Sequence, residues 1–499
     1  MKFVIRYKTE LIIFSILIVA YFILRLPNLT LQPIFADEAI YIRWAQVMKS
    51  EPTLRFLSLS DGKTPLFMWV MIPFFKISPD PLFAGRFLSV ISGFFTLLGV
   101  FFLSKKVFNI KTALWASLLY VIIPYTIFFD RMALVDSMLT AFTIWSIYFA
   151  IWLVKTLRLD LAMILGYLLG AALLTKTPAM TNILVLPIIL LGLKKDSQGK
   201  YPLLRILVLL VVSALIALMI YNLLRLGPGF QQLSARNADY VFSPAELKGR
   251  YLDPFIPHFH DIADWFPKLF TMPVLIFVFI GICYSLLTFN KLGLIVLVWV
   301  LVPFMLEMAF LRTFTARYLL TSIAPFLIFA GFGLTKILER LRIKKSFKLV
   351  IAFIVVLPMA LKFDYQLISN PPPSDLPKEE RKGYFEDWTA GYGLKQIAGF
   401  LDKETKKKKL VVGTAGFFGT LPDGLYIYLD KTDISVVGSS ATVSAQIRKA
   451  AQDHPTYFVG NKNDLENSIK NVKLIFEYPK AKPLDGSKQD STVLYQVLP

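Results

Sequence analysis

The chain has 499 residues, 56% of them hydrophobic, and its mean hydropathy is +0.58. Soluble domains contain about 45–50% apolar residues, so this composition predicts a membrane protein. Lysine and arginine outnumber aspartate and glutamate by 54 to 34, which gives a net charge of +20. These basic residues are spread over short connections rather than gathered in one patch with interleaved aromatics, which argues against nucleic-acid binding.

Apolar runs with few charges recur along the chain, and a run of about 18 or more residues is long enough to cross a membrane. No small-residue cleavage site follows the first run, which continues into "RLPNLTLQP" and therefore indicates an uncleaved signal anchor. We predict about eleven transmembrane helices, at 11–27, 86–103, 112–129, 137–154, 160–175, 179–193, 203–224, 271–289, 292–311, 318–335 and 347–362.

The connections between these segments form two alternating sets, and the two sets differ in charge. Connections such as "SKKVFNIK" and "LKKDSQGK" are short and basic, whereas the opposite set is longer and carries most of the acids. Basic residues accumulate on cytoplasmic loops. We therefore predict a multi-pass cell-membrane protein with a cytoplasmic N-terminus and with loops 28–85 and 225–270 on the extracytoplasmic side.

Prolines interrupt the aromatic first loop, 28–85, which predicts short interfacial helices there.

The amino-acid composition of the chain changes beyond the last apolar run. We divide the chain into a transmembrane domain (1–362), a Pro-rich linker (363–374) and an extracytoplasmic α/β domain (375–499). This last domain is predicted from a helical "VSAQIRKAAQD" and from the β-rich runs "KLVVGTAG", "GLYIYL", "DISVVGS", "TYFVGN", "VKLIFEYP" and "STVLYQVL".

Charged side chains within or beside apolar segments are costly, so each is a functional candidate. They lie at or near the predicted outer ends, which favours a site at the membrane–water boundary over a transporter site near the midplane. Carboxylates act as general bases or metal ligands, while lysine and arginine hold phosphates. The candidates are Asp37, Glu38, Lys63, Arg86, Asp130, Arg131, Asp136, Lys176, Glu307, Arg312 and Arg317.

A family resemblance emerges from several motifs taken in order: "FADEAIYIRWAQVM", "DGKTPLFMWV", "FFDRMALVDSMLTAF", "GAALLTKTPA" and "ARYLLTSIAPF". Over roughly residues 5–335 the chain resembles the GT-C membrane glycosyltransferases. Within them it is most similar to the group of protein O-mannosyltransferases and lipid A aminoarabinose transferases. The resemblance implies transfer of a sugar from a polyprenyl-phosphate donor to a lipid, glycan or protein acceptor at the extracytoplasmic face.

The resemblance also implies residue roles. Asp37 would deprotonate the acceptor hydroxyl in an inverting displacement, and Lys63 in "KTPL", where Thr64 replaces the family's proline, would contact the carrier phosphate. The implied catalytic residues are Asp37, Glu38 and Asp136. The implied ligands of the donor and its lipid phosphate are Lys63, Arg131, Lys176, Arg317, Tyr318 and Arg312.

Structural explanations exist for the same residues. Asp37 and Glu38 could form the acidic first turn of a surface helix. Lys63 could be an interfacial lysine whose side chain extends to the lipid head groups. Asp136 could cap a helix, and Arg131 could pair with Asp130 or anchor its loop. Arg312 and Arg317 could be interfacial anchors.

Two further questions remain open from sequence. The "HFH" motif, with His258 and His260, is either half of a divalent-metal site or part of an aromatic lid, since its spacing matches no known zinc pattern. The alternative functions are a transporter or flippase of lipid-linked sugars and a catalytically silent scaffold. A transporter predicts internal sequence halves and polar groups at the midplane, and neither is seen.

Overall fold

The computed structural model describes residues 8–195, 198–250, 252–430, 432–465 and 469–499. Part of the predicted cytoplasmic N-terminal segment, residues 1–7, lies outside this range. The chain forms two compact units. The helical unit comprises Met1–Pro27, Arg55–Phe67 and Ser89–Ile368, and the mixed unit comprises Asn28–Leu54, Met68–Leu88 and Ser369–Pro499.

Within the described residues, seven helices are long and apolar enough to cross a membrane. They are Pro81–Val107, Val135–Thr156, Leu203–Leu226, Phe255–Leu287, Lys291–Phe310, Ala316–Arg340 and Lys345–Ser369. An eighth candidate is the pair Ile110–Ile122 and Pro124–Asp130, which is bent by 59°. Proline has no backbone N–H and its ring clashes with the preceding turn, which explains a bend at Pro124.

Three shorter or more charged helices complete the apolar set. They are Lys8–Arg25, Leu159–Thr175 and the segment Thr177–Gly192, which contains the α-helix Met180–Leu184. A helix therefore covers most of each of the eleven predicted segments, while the number that cross the membrane stays a prediction. The helical unit also contains Gln232–Tyr240.

One predicted boundary was wrong. The segment predicted to begin at 271 is the end of a longer helical stretch that begins at Phe255 and includes a wider turn at Pro267–Thr271. Residues 255–270 of the predicted external loop 225–270 are therefore helical. The sequence "FIPHFHDIADWF" is polar enough to resemble a loop, but its buried residues His258 and Trp265 are seven positions apart, as on one face of a helix.

Inside the helical unit, Arg25 and Asp130 form an ion pair with both side chains fully buried. The Arg25 Nε lies 3.0 Å from the Asp130 Oδ2, and the guanidinium carbon lies 4.0 Å from the ring centre of Tyr21. Asp130 also accepts hydrogen bonds from the hydroxyls of Ser137 and Tyr120. Asp130 is thus the partner of Arg25.

The mixed unit contains two sheets. Strands β1 (Ile34–Phe35) and β2 (Ala390–Gly391) pair antiparallel. Five further strands form the larger sheet in the order β4-β3-β5-β7-β6: β3 (Val411–Ala415), β4 (Ser435–Ser439), β5 (Thr456–Asn461), β6 (Val472–Pro479) and β7 (Ser491–Val497). Strand β3 is parallel to β4 and β5, whereas β7 is antiparallel to β5 and β6.

Helices pack around these strands, and one of these helices was predicted to be a strand. The unit contains Ala36–Ser50, Lys378–Arg381, Leu394–Thr405, Asp423–Leu429, Ala445–Asp453 and Lys462–Leu465, while Leu66–Phe74 begins in the helical unit. The run "GLYIYL" was predicted as a strand from its alternation, but it lies in helix Asp423–Leu429. Pro422 precedes this helix, an acidic residue opens its first turn, and Leu425 and Ile427 are buried.

The mixed unit joins parts of the first loop to the C-terminal region. Strand β1 and helix Ala36–Ser50 come from the loop, and β1 pairs with β2 from beyond residue 375. The Arg43 guanidinium lies 2.5 Å from a carboxylate oxygen of Asp430. Helix Lys345–Ser369 extends into the predicted linker, so residues 363–369 are helical. The predicted domain boundaries themselves stay a prediction.

We expect Asp130→Asn to destabilise the protein by about 3–5 kcal/mol, because it leaves the Arg25 guanidinium buried without its counter-charge. The measurement is the thermal unfolding midpoint of the detergent-solubilised protein. Asp160→Asn is the matched control, since Asp160 pairs with Arg158 at the surface, where both side chains are more than half exposed. Equal midpoints for the two variants would contradict a structural role for the buried pair.

Candidate active site

Lys176 is placed by the end of an apolar helix. Helix Leu159–Thr175 stops where the backbone of Lys176 becomes extended, and Pro178 follows in a short 3₁₀ turn. The Lys176 Nζ lies 2.7 Å from the Asp136 Oδ1, in the first turn of helix Val135–Thr156. The same ammonium lies 3.9 Å from the ring centre of Tyr318.

Arg317 completes this cluster, which we call the Lys176 cluster (Asp136, Lys176, Arg317 and Tyr318). Its guanidinium carbon lies 5.3 Å from the ring centre of Tyr318, on the 3₁₀ turn that leads into helix Leu320–Arg340. Three distant stretches of sequence thus meet, and all four residues were predicted site residues. An ammonium held by one carboxylate and an aromatic face retains donors for an anionic ligand.

A narrow cavity in the helical unit is lined by polar side chains that include Asn182 and Glu307. The Trp299 indole donates to the Asn182 amide oxygen at 2.7 Å. Within the described residues, the buried Oε2 of Glu307 has no hydrogen-bond partner.

Lys63 lies in a second cluster, which we call the Lys63 cluster (Asp61, Lys63, Arg236, Tyr240 and Arg312). Its Nζ donates to the Tyr240 hydroxyl at 3.0 Å and lies 4.2 Å from the ring centre. Arg236, one helical turn before Tyr240, binds the Asp61 carboxylate at 2.8 Å. The Arg312 backbone N–H donates to the Tyr240 carbonyl, so Arg312 joins the same cluster.

Gly62 makes the Lys63 cluster sterically feasible. Its φ of +68° is unfavourable for other residues, and a Cβ there would lie 2.6 Å from the Cβ of Arg236. The turn "SDGK" can therefore approach the helix Gln232–Tyr240 only with glycine at this position. Sequence reasoning missed Asp61, Arg236 and Tyr240, although this turn and the four-residue spacing of Arg236 and Tyr240 are visible signals.

Arg312 also has two partners outside the Lys63 cluster. Its guanidinium pairs with the Glu246 carboxylate and lies 4.3 Å from the ring centre of Phe242. Hydrogen bonds from the Ser243 backbone and hydroxyl, together with the Arg312 guanidinium, lower the pKa of Glu246 to about 2. Glu246 therefore stays charged at neutral pH, which holds Arg312 near Tyr240.

In the mixed unit, the two acids of the opening motif differ sharply. Glu38 is fully buried, with its Oε1 at 2.8 Å from the Arg86 Nε and its Oε2 at 2.7 Å from the Nη2. Its Oε2 also accepts the Phe35 backbone N–H, which secures the start of helix Ala36–Ser50. Asp37, the second residue of this helix, is half-buried.

Arg86 extends this structural role. Its guanidinium also donates to the backbone carbonyls of Leu29, Gln32 and Pro33 at 2.9–3.0 Å. Because a guanidinium has five donors in a fixed plane, it can bind a carboxylate and several carbonyls together. Glu38 and Arg86 therefore hold the segment before the helix, and Asp37 is the member of the acid pair whose side chain remains partly accessible.

Arg131 also has structural partners. It ends the helix Pro124–Asp130 and is almost fully buried, and its Nη1 donates to the carbonyls of Arg25 at 2.7 Å and Pro27 at 2.9 Å. These contacts fit a residue that anchors its loop. A role as a ligand of the lipid phosphate stays a prediction.

The two histidines do not form half of a metal site together. His258 is buried, with its Nδ1 2.8 Å from the Met308 carbonyl oxygen, whereas His260 is exposed. Residues two apart in a helix point to different sides. Among the described residues, no group of three or more histidine, cysteine, aspartate or glutamate side chains is arranged to hold a metal ion.

Comparison with known proteins extends these observations. Residues 62–221 match the sequence model of the dolichyl-phosphate-mannose-protein mannosyltransferase family. No curated protein sequence matches the chain significantly.

Two solved structures of ArnT from Cupriavidus metallidurans are similar over almost the whole chain. The apo structure covers 97% of each chain and the structure bound to undecaprenyl phosphate covers 98% of each, both with a TM-score of 0.57 and 15% identity. The oligosaccharyltransferase AglB from Archaeoglobus fulgidus, in complex with an inhibitory peptide and a dolichol-phosphate, has a TM-score of 0.54 and 13% identity. That match covers 91% of this chain and 70% of the other.

These findings confirm the predicted fold class, a polytopic helical membrane protein of the GT-C type. At these identities the structural matches establish the fold. The chain therefore has the GT-C fold and resembles the group of membrane glycosyltransferases that includes the dolichyl-phosphate-mannose-protein mannosyltransferases and ArnT.

Proposed function

We propose that this protein transfers a sugar from a polyprenyl-phosphate donor to a hydroxyl-bearing acceptor at the extracytoplasmic membrane face. The observation that carries the proposal is the end-to-end similarity to ArnT bound to undecaprenyl phosphate. The family match over residues 62–221 points to the same class of donor. It includes Lys63, Asp136 and Lys176, three of the residues that we assign to the site.

The cationic residues of the helical unit suit the phosphate of such a donor. Lys63, Lys176, Arg312 and Arg317 each contact an aromatic ring through their cation, and Lys176 is in addition held by Asp136. Fixed cations stabilise the charge that develops on a departing lipid phosphate. We assign Asp136 to positioning the Lys176 ammonium, because its Oδ1 forms the 2.7 Å ion pair.

Asp37 is the proposed general base. Glu38 is committed to Arg86 and the Phe35 N–H, so its carboxylate holds the helix rather than moves a proton. The acceptor hydroxyl would give its proton to Asp37 while its oxygen bonds to the anomeric carbon. The bond from that carbon to the phosphate oxygen breaks in the same step, the lipid phosphate leaves with the electron pair, and the anomeric configuration inverts.

We expect Asp37→Asn to reduce sugar transfer by about 10²–10⁴-fold, because a general base contributes this much to the rate. The assay supplies membranes with a labelled polyprenyl-phosphate sugar, and donor binding should be unchanged. Glu38→Gln serves as the comparison: it should lower the thermal midpoint as well as activity, because it leaves Arg86 without its counter-charge. Full transfer by a well-folded Asp37→Asn variant would remove Asp37 from the mechanism.

Loss of a phosphate ligand should weaken donor binding. For Lys63→Met and Lys176→Met we expect the donor KM to rise about 10- to 100-fold, since a hydrogen bond to a charged group contributes about 1.5–3 kcal/mol. Lys291→Met is the matched control, because Lys291 is exposed at the start of helix Lys291–Phe310. An unchanged KM in both cluster variants would argue against these ligands.

The proposed topology puts the C-terminal region outside the cytoplasm. In a Cys283→Ser background, we expect Lys408→Cys to react with a membrane-impermeant maleimide in intact cells, because Lys408 is exposed in the mixed unit. Lys344→Cys, in a predicted cytoplasmic connection, should react only after permeabilisation. The reverse labelling pattern would show that the topology is opposite to the one proposed.

A further inference from the structure

The mixed unit has a loop whose position in the sheet is typical of binding sites. Residues 416–419 follow β3, and β3 lies between the parallel strands β4 and β5. After β3 the chain forms β4, which lies on one side of β3, and then crosses to form β5 on the other side of β3. In α/β sheets, ligands bind at the carboxyl ends of strands where the strand order reverses in this way.

This loop displays large aromatic side chains to solvent. Phe417 is 72% exposed, Phe418 is 46% exposed, and the neighbouring Trp388 is 50% exposed. We call these three residues the aromatic surface. Exposed aromatic groups gathered in one place are typical of binding sites rather than of an ordinary surface.

The backbone accommodates these rings. Gly419 has a φ of +103°, and a Cβ there would lie 3.4 Å from the Trp388 ring. At Gly438, at the end of β4, a Cβ would lie 3.1 Å from the Phe417 ring. Glycine at position 438 therefore leaves room for the Phe417 ring beside the end of β4, and the positive φ of Gly419 favours glycine in the loop next to Trp388.

The aromatic surface borders the helix that carries Asp37. The Phe418 ring centre lies 5.8 Å from that of Trp44, on helix Ala36–Ser50. At the start of this helix, the Ala36 Cβ would lie 3.9 Å from a Cβ on Gly419. The Ala36 N–H donates to the carbonyl of Thr389, the residue after Trp388. The loop therefore runs beside the first turn of helix Ala36–Ser50, in which Asp37 follows Ala36.

Two carboxylates accept hydrogen bonds from the backbone at the edge of this surface. The Asp423 Oδ2 accepts the Gly419 N–H at 2.8 Å, and the Asp387 Oδ1 accepts the Trp388 N–H at 2.7 Å. Carboxylates repel anionic lipid head groups but accept hydrogen bonds from sugar hydroxyls. The C–H faces of sugar rings also pack on aromatic rings, so this combination favours a carbohydrate over a membrane surface.

We propose that Trp388, Phe417 and Phe418 bind a carbohydrate acceptor, whose sugar ring packs on these side chains beside the helix of Asp37. The inference rests on the proposed function for the transfer step and deepens it by giving the acceptor a chemical class. Binding of the sugar to this surface requires neither the donor nor the transfer reaction.

The test is saturation-transfer NMR on the detergent-solubilised full-length protein without donor. The probes are four soluble oligosaccharides: mannotriose, maltotriose, cellotriose and N-acetylchitotriose. At least one should bind the wild-type protein, and Trp388→Ala and Phe418→Ala should each weaken it about five- to tenfold, as expected for the loss of one aromatic contact. Leu484→Ala is the control, since Leu484 is 69% exposed elsewhere in the same unit, and it should bind like wild type.

Several outcomes would overturn the inference. These are no saturation transfer from any of the four sugars, equal loss in the Leu484→Ala control, or unchanged binding in both aromatic variants. Quenching of tryptophan emission by brominated phosphatidylcholine in nanodiscs that is lost in Trp388→Phe, without sugar binding, would assign the surface to lipid instead. Sugar binding that depends on Trp388 and Phe418, combined with full transfer by Asp37→Asn, would keep the binding surface and reject the proposed base.

Discussion

A charge removed from water in an apolar helical protein needs a fixed partner, and this constraint organises the structure. Arg25 and Asp130 satisfy it inside the helical unit, where two tyrosines and a serine complete the surroundings of the pair. Glu38 and Arg86 satisfy it in the mixed unit. Because each partner comes from a different stretch of chain, each pair also fixes where these stretches meet.

The same constraint separates structural from reactive charges. A guanidinium surrounded by a carboxylate and backbone carbonyls, as at Arg86, has no donor left for a substrate. Lys63 and Lys176 differ, because a tyrosine contacts each of them and leaves further ammonium hydrogens available. Proposed phosphate ligands and structural cations thus differ in how many of their donors are occupied.

Much of the fold could be read from periodicity and composition. Apolar runs are a direct consequence of the hydrocarbon core, so most helical segments were predictable to within a few residues, except the one that begins at Phe255. The five strands of the larger sheet lie within the predicted β-rich runs, whereas "GLYIYL", also predicted as a strand, lies in a helix. Its alternation is compatible with a strand, whereas the preceding Pro422, the acid in the first turn and the burial of Leu425 and Ile427 go with a helix. Local pattern cannot decide between these when packing contributes more than propensity.

What the sequence by itself determined is the class of protein, the segments that are helical and the charged residues worth attention, because hydropathy and charge act locally. Only the tertiary structure decided which charges pair. It showed that Glu38 is bound to Arg86, that Asp130 belongs to Arg25 and that Lys63 reaches Tyr240. It also brought strand β1 of the first loop to β2, which lies more than 350 residues away. Such contacts depend on distances between remote stretches of chain, and no local pattern encodes these distances.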